Sequence, residues 1–237
     1  MSKPNFHFVL LALLSLCLPG VVNAGFAGKD EIEEVLAAIG TGSVSELKSR
    51  LFTDNITTFN AAFRAQAIAA LPNSLGKDRI MQGKLLRRVE QVFNQVLALH
   101  GRNGKLELFL FHNDLPTALL WRGCVLVLSD GLADPLYDGE LAAIIAHELG
   151  HSYVEDEMAA AQRAKDERAL RLVELKCDAV AILSLQLMHY DPALFVRGLQ
   201  RIQALNHRKG QLSGLVQSHP ALVSRAQFAQ RFIQSMR

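Results

Sequence analysis

The run HELGH at residues 147–151 is the feature that most restricts how this chain can fold. It lies in a segment whose apolar residues recur with a helical period, as Leu141 and Leu149 illustrate. Positions i and i+4 of a helix lie on one face, so His147 and His151 would project side by side. Polar and ionisable groups inside an apolar helix need partners, because burying an unpaired charge is costly. The run therefore predicts an internal helix with a polar site built into it.

The spacing of the two histidines is typical of a zinc-binding helix. Zinc lowers the pKa of a bound water to about 7, so that hydroxide becomes available near neutral pH. Glu148 would also point toward the site, where it can deprotonate that water and pass the proton to a departing amine. The alternative is an ordinary helix with two surface histidines. Small residues along the segment favour the internal helix, since they allow close packing: Ala142, Ala143, Ala146 and Gly150.

A catalytic zinc usually has three protein ligands, so a third one is needed. Val154 and Glu157 stand where an extended motif would need glycine and a third histidine, which favours an acid farther along the chain. Glu174 and Asp178 lie one turn apart in the next predicted long helix. Glu174 would complete the metal site, and Asp178 would accept a hydrogen bond from a ligand imidazole. Glu155 and Glu157 are rival ligands that follow the motif too closely to reach back easily.

The second pair of acids also has a simpler interpretation. Glu174 and Asp178 could form a solvated pair on the outer face of their helix. The mostly apolar character of that helix favours a buried pair with defined partners instead.

The fold class predicted from hydrophobic periodicity is α+β, mainly α, with few strands. Strands are expected at residues 106–111 and 124–128, with a turn after the second. Helices are expected over residues 30–39, 43–52, 60–71, 78–100, 139–151, 167–189, 193–206 and 221–236, and a polar alanine-rich stretch begins near residue 155. Three regions are predicted: a signal peptide at 1–24, an N-terminal helical region at 25–104 and the core at 105–237.

The N-terminus has the three-part pattern of a secretory signal. Lys3 supplies a positive charge, an apolar run covers residues 8–18, and Ala24 ends a segment suited to cleavage. The apolar stretch is short of the roughly 20 residues that a spanning helix needs, although an uncleaved anchor is the alternative. The sequence therefore predicts an exported protein, periplasmic or secreted.

The charge and the cysteine content bear on nucleic-acid binding and on disulfide formation. The formal net charge of +2 gives no basic patch of the kind that binds nucleic acid. Cys124 and Cys177 would remain after signal cleavage, and an oxidising compartment permits a bridge between them. Two buried free thiols are the alternative.

The chain resembles the zinc metallopeptidase family of the CAAX prenyl proteases and the bacterial heat-shock membrane protease HtpX, especially its soluble exported bacterial members. These gluzincins share a His-Glu-x-x-His helix and a second helix bearing Glu-x-x-x-Asp. The positions that match these motifs are His147, Glu148, His151, Glu174 and Asp178. The similarity covers about residue 106 to the C-terminus. It implies a zincin-like core that holds one zinc ion per chain.

The resemblance implies two more catalytic residues besides Glu148. His219 is similar to a downstream histidine that steadies the oxyanion or caps the zinc at rest, although a loop histidine before a proline is the alternative. Arg225 resembles an arginine close to that site. The resemblance also implies that the strand at 124–128 is the sheet edge where an extended peptide binds. Residues 116–121 lack the family's Asn-Ala-Phe-like run. This difference affects how a substrate would fit and leaves the expected metal site unchanged.

The leading hypothesis is an exported zinc metalloendopeptidase that cuts unfolded or misassembled envelope proteins, with peripheral association at the membrane or in an envelope complex. A metal-bearing adaptor or chaperone of envelope proteins with little catalysis is the alternative. A helical structural protein without metal is a third hypothesis. The membrane spans of the prenyl proteases have no counterpart after the signal, so prenylated substrates are not expected.

Overall fold

The computed structural model describes residues 28–52, 59–72, 78–208 and 221–236. In chain order its elements are α1 (Lys29–Ile39), α2 (Val44–Leu51), α3 (Ala61–Ala69), α4 (Lys84–Leu99), β1 (Glu107–Phe111), β2 (Ala118–Trp121), β3 (Val125–Ser129), α5 (Asp130–Ala133), α6 (Asp138–Gly150), α7 (Glu155–Ala164), α8 (Glu167–Leu187), α9 (Leu194–Arg208) and α10 (Leu222–Ser235). The predicted fold class, α+β and mainly α, is confirmed.

Three local predictions were wrong. The helix expected from residue 78 begins only at Lys84, because residues 78–80 run beside β1 and the Ile80 amide donates to the Leu110 carbonyl. The strand β2 was not foreseen. The turn expected after β3 is the short helix α5, in which the Leu132 amide donates to the hydroxyl oxygen of Ser129.

The sheet has the order β1-β3-β2, with β3 parallel to β1 and antiparallel to β2. The expectation that the strand at 124–128 forms the sheet edge is therefore wrong, because β3 is central and all five of its residues are buried. The outer side of β1 is occupied by the segment at 78–80, through the bridge between Arg79 and Phe111. Within the part of the chain that the structure describes, β2 is the strand with an open side.

The two faces of the sheet bury different clusters, which explains the continuous apolar character of β3. Leu126 and Leu128 face the main core, whereas Val125 and Val127 face a second cluster under α3. Trp121 closes this second cluster by donating its indole N–H to the Ala67 carbonyl of α3 at 2.8 Å. The main core draws on helices from both ends of the chain, with members that include Ile32, Val35, Leu47, Val89, Val96, Leu141, Ile145, Leu175, Ile182, Phe195, Phe228 and Phe232.

The helices α6 and α8 form the centre of the main core and approach each other at a glycine. A Cβ atom built on Gly150 would lie 3.0 Å from the Cα of Cys177 and 3.1 Å from its Cβ. Carbon atoms rarely approach a backbone atom this closely without displacing it, so the absence of a side chain at Gly150 sets the distance between the helices. This contact confirms the close packing that the small residues of α6 predict.

The N-terminal helix α1 is joined to α8 by apolar packing and by a forked ion pair. Arg171 donates to both carboxylate oxygens of Glu31, at 2.8 and 3.2 Å. The signal peptide predicted for residues 1–24 lies outside the described residues, and the boundary predicted between residues 104 and 105 stays a prediction. Of the helices that the structure describes, none combines the length and the apolar character that crossing a membrane requires.

Replacing Gly150 by alanine should separate α6 from α8. Overpacking of this kind costs about 1–3 kcal/mol, against a gain of up to about 1 kcal/mol in helix propensity. We therefore expect a lower free energy of unfolding, measured by urea denaturation. Gly198→Ala is the matched control, because the nearest atom to its new Cβ, on Glu140, lies at 3.4 Å. Equal stability changes in the two variants would contradict the close crossing.

Candidate metal centre

The crossing of α6 and α8 brings together the three side chains expected to hold a metal. His147 lies in the last turn of α6, His151 caps its C-terminus, and Glu174 lies in α8. One potential ligand atom from each of them falls within 4.8 Å of the other two. The carboxylate of Glu174 lies 3.4 Å from Nε2 of His147 and 3.9 Å from Nε2 of His151. Both imidazoles therefore present Nε2 toward the same carboxylate.

The rival ligands lie elsewhere. Glu155 and Glu157 are exposed residues in the first turn of α7, and Glu157 pairs with Lys176. Neither belongs to the group of potential ligands formed by described residues. Glu148, by contrast, is buried in α6 directly after the first histidine.

Asp178 lies one turn beyond Glu174 and contacts the other ring nitrogen of His147. Its Oδ1 is 2.9 Å from Nδ1 of that histidine. A proton held on Nδ1 by this carboxylate leaves the lone pair of the neutral ring on Nε2, the atom that faces Glu174. The arrangement selects the tautomer that a metal ligand needs.

Arg225 reaches the site from α10 and is bound to the same aspartate. Its Nε and Nη2 donate to the two oxygens of Asp178 at 2.9 and 2.6 Å, and Nη2 lies 3.3 Å from Nδ1 of His147. The guanidinium also lies over the ring of Phe195, 5.4 Å from its centroid. Arg225 is only 6 % exposed, so the structure gives it contacts that hold Asp178 rather than an open face toward substrate.

The pKa values within this group follow from burial and charge. Burial alone would lower the pKa of His147, but its hydrogen bonds to Asp178 and Glu174 outweigh that effect and raise the pKa to about 9. Burial would raise the pKa of Asp178, but Arg225 and His147 hold it below its ordinary value. The surroundings of His147 therefore stabilise a positive charge beside Glu174.

The residues present fit a divalent cation. Two imidazole nitrogens and one carboxylate oxygen form a donor set that catalytic zinc sites use. Glu174 and Asp178 are buried carboxylates at this site, Glu148 is buried directly after His147 in α6, and Arg225 is a buried guanidinium bound to Asp178. When all three carboxylates are ionised they exceed the charge of that guanidinium by two, which a dication would balance.

The remaining residues singled out in the sequence have different outcomes. His219 lies outside the described residues, so its role stays a prediction. Cys124 and Cys177 are buried free thiols, in the second cluster under α3 and in α8 respectively. Burial raises the pKa of the Cys177 thiol well above its ordinary value, so this group stays protonated. Its sulfur lies 3.4 Å from Nδ1 of His151.

The contact between Cys177 and His151 is one that sequence reasoning missed. The signal was present, because Cys177 is three residues after Glu174 and so lies near the same helix face. A cysteine in an exported protein suggests a disulfide or a buried thiol first, and a contact with a metal ligand is a less common role.

Replacing Arg225 by methionine should leave the charge of Asp178 buried without its main partner. Removing one member of a buried ion pair costs about 3–5 kcal/mol, so we expect a loss of this order in the free energy of unfolding. The control is Arg197→Met, which breaks an exposed pair with Asp191 and should cost less than about 1 kcal/mol. The double variant Asp178→Asn/Arg225→Met should be more stable than Arg225→Met alone, because it buries no unpaired charge. A loss no larger than in the control would contradict this account.

Comparison with known proteins supplies one match. Residues 83–170 match the family model of peptidase family M48, a stretch that includes α4, the sheet and the helix with both histidines. The match begins earlier than the similarity recognised from motifs, and it ends before Glu174. No curated protein matches the chain. The matched stretch is similar to peptidase family M48, whose members are zinc-dependent metallopeptidases, and this similarity agrees with the motifs on α6.

Proposed function

We propose that this chain is a zinc-dependent endopeptidase that hydrolyses internal peptide bonds of polypeptides. The observation that carries the proposal is the convergence of His147, His151 and Glu174 within 4.8 Å, with the buried Glu148 beside the first histidine. A peptidase needs a group that accepts a proton from water and returns it to the leaving amine. We assign this task to Glu148, a buried carboxylate directly after His147 in α6.

Each residue has a separate task in this proposal. His147, His151 and Glu174 would hold the metal, which when bound would acidify a water and polarise the peptide carbonyl. Glu148 takes the proton of the attacking water and gives it to the nitrogen of the departing chain. Asp178 orients His147 through Nδ1, and Arg225 keeps Asp178 ionised and in place. We therefore assign Arg225 a positioning role and retain His219 as a candidate for the oxyanion or resting-state contact.

Glu148→Gln tests the proton transfer. The amide has nearly the same shape but cannot accept the proton, so we expect cleavage of an unfolded substrate such as casein to fall by several orders of magnitude. The zinc content, measured by elemental analysis after gentle purification, should stay near one per chain. Glu155→Gln is the control, since this exposed rival should change neither zinc content nor cleavage.

The same experiment separates the competing hypotheses. Unchanged turnover in Glu148→Gln would exclude the mechanism. Wild-type protein with full zinc but no cleavage would favour the adaptor or chaperone, and protein that binds no zinc would favour the structural hypothesis.

The open strand β2 supports a specific mode of substrate binding. The Ser129 amide donates to the Thr117 carbonyl at 3.0 Å, so Thr117 and Ser129 are a hydrogen-bonded pair of the two strands. In an antiparallel pair, bonded and non-bonded positions alternate, so the backbone groups of Ala118 and Leu120 point away from β3. We propose that an extended peptide pairs with these groups, next to the helix α6 that packs against β2. This replaces β3 as the substrate strand.

Ala118→Pro tests this binding mode. Proline is tolerated on an edge strand when its missing N–H would face outward, so folding should be retained. Loss of one backbone donor to substrate is worth about 0.5–1.5 kcal/mol, and we expect kcat/KM to fall up to roughly tenfold. Ala118→Ser keeps the N–H and should stay close to wild type. Equal values for the two variants would place the substrate elsewhere.

The cellular setting is also part of the proposal. The signal-like N-terminus supports export to the periplasm or beyond, where unfolded or misassembled envelope proteins would be substrates. Fractionation of cells that express the full chain, with N-terminal sequencing of the mature protein, tests the export.

A further inference from the structure

A largely buried polar cluster holds the end of α6, and the proposed chemistry does not use it. We call it the clamp, and it consists of His100, Arg102, Ser152, Tyr153 and Ser184. His100 and Arg102 follow α4, and Ser184 lies in α8. Ser152 and Tyr153 are the two residues directly after the ligand His151. The clamp therefore connects three parts of the chain at the point where α6 ends.

The first half of the clamp is a directed chain of hydrogen bonds. The hydroxyl of Ser184 donates to the Val180 carbonyl at 2.6 Å, so its oxygen accepts from Nε2 of His100 at 3.0 Å. Nδ1 of His100 then accepts from the hydroxyl of Tyr153 at 2.8 Å. Burial, with the charges of Arg102 and Lys48, lowers the pKa of His100 to about 3. The ring is therefore neutral, and Nδ1 can accept the hydrogen bond from Tyr153.

The second half of the clamp is a buried guanidinium. Arg102 is 1 % exposed, and its Nη1 donates to the hydroxyl oxygen of Ser152 at 2.6 Å. The same guanidinium lies over the ring of Tyr153, 4.6 Å from its centroid. Its Nε and Nη2 have no hydrogen-bond partner among the described residues. Burying a charge with so few partners is costly, and the interactions that offset this cost are made with the segment that follows His151.

The two histidine ligands differ in how the helix supports them. His147 lies inside α6 and has the carboxylate of Asp178 on its Nδ1. His151 is the last residue of the helical arrangement and has the thiol of Cys177 near its Nδ1, a weaker hydrogen-bonding group than a carboxylate. Because His151 stands at the end of α6, its position depends also on the residues that follow it.

We infer that the clamp sets the position of His151 relative to Glu174, and that Tyr153, His100 and Arg102 are positioning residues of the metal site. Ser184 and Glu174 belong to the same helix, so fastening Tyr153 to Ser184 through His100 fixes the end of α6 against the helix that carries the third ligand. His100 and Arg102 come directly after α4, so this part of the chain contributes to the metal site without touching the metal. The inference rests on the proposed zinc function.

Tyr153→Phe tests the clamp in the full-length protein. The phenyl ring preserves the stacking on Phe52 and the contact with Arg102, but it cannot donate to His100. We expect zinc to bind on the order of tenfold more weakly in competition with a chromophoric chelator, as for other residues that orient a ligand. The visible absorption of the cobalt-substituted protein should also change, because it reports the geometry of the ligands.

A matched control separates positioning from general stability. Trp121→Phe also removes one buried aromatic donor, to the Ala67 carbonyl in the cluster under α3. It should lower the folding stability of the metal-free protein but leave zinc affinity and the cobalt spectrum unchanged. Ser152→Ala removes the acceptor for Arg102 without a large cavity, and it should weaken zinc binding as Tyr153→Phe does.

The outcomes distinguish this inference from the function on which it rests. Wild-type zinc affinity and an unchanged cobalt spectrum in both Tyr153→Phe and Ser152→Ala would overturn the clamp and leave the zinc site standing. Wild-type protein that binds neither zinc nor cobalt would overturn the proposed function and the clamp with it.

Discussion

The close approach of α6 to α8 at Gly150 determines the distance on which the rest of the site depends. The backbone of Cys177 would contact any side chain at Gly150, and Cys177 lies between Glu174 and Asp178 in the sequence of α8. Moving the two helices apart would therefore move both carboxylates away from the histidines of α6. A single residue without a side chain thus links the packing of the core to the spacing of the candidate ligands.

The close approach of α6 and α8 buries carboxylates, whose charge must be compensated by nearby groups. Asp178 is fully buried, and the forked contact with Arg225 compensates its charge. Glu174 faces the Nε2 atoms of both histidines, which are the atoms that would bind a metal. The two acids of α8 consequently have different uses. Asp178 is paired with an arginine and orients a ring, while Glu174 faces the candidate ligand atoms and would bind the cation.

Local periodicity was enough to predict most of the helices and the one-turn spacing of Glu174 and Asp178, because both follow from the geometry of one helix at a time. The order of the strands could not be predicted in this way. A continuous apolar run such as Val125–Ser129 indicates burial on both faces, but β2 has only four residues and was too short to be recognised beside it. The identity of the edge strand therefore depended on pairing between segments. The contact of Arg225 with Asp178 spans 47 residues, and only a resemblance had drawn attention to that arginine.

The N-terminal helices α1 and α2 also make contacts that local sequence patterns do not predict. The sequence before Lys84 has no motif that indicates a catalytic role. Ile32, Val35 and Leu47 nevertheless pack in the same hydrophobic cluster as residues of α6 and α8. Phe52, at the end of α2, packs against His100 with ring centroids 4.2 Å apart and ring planes tilted by 30°. His100 in turn contacts Tyr153, two residues after a candidate ligand. A metal site at the end of a helix needs support from outside that helix, and here the support comes from segments distant in sequence. The helices α1 and α2 are therefore part of the scaffold of the site.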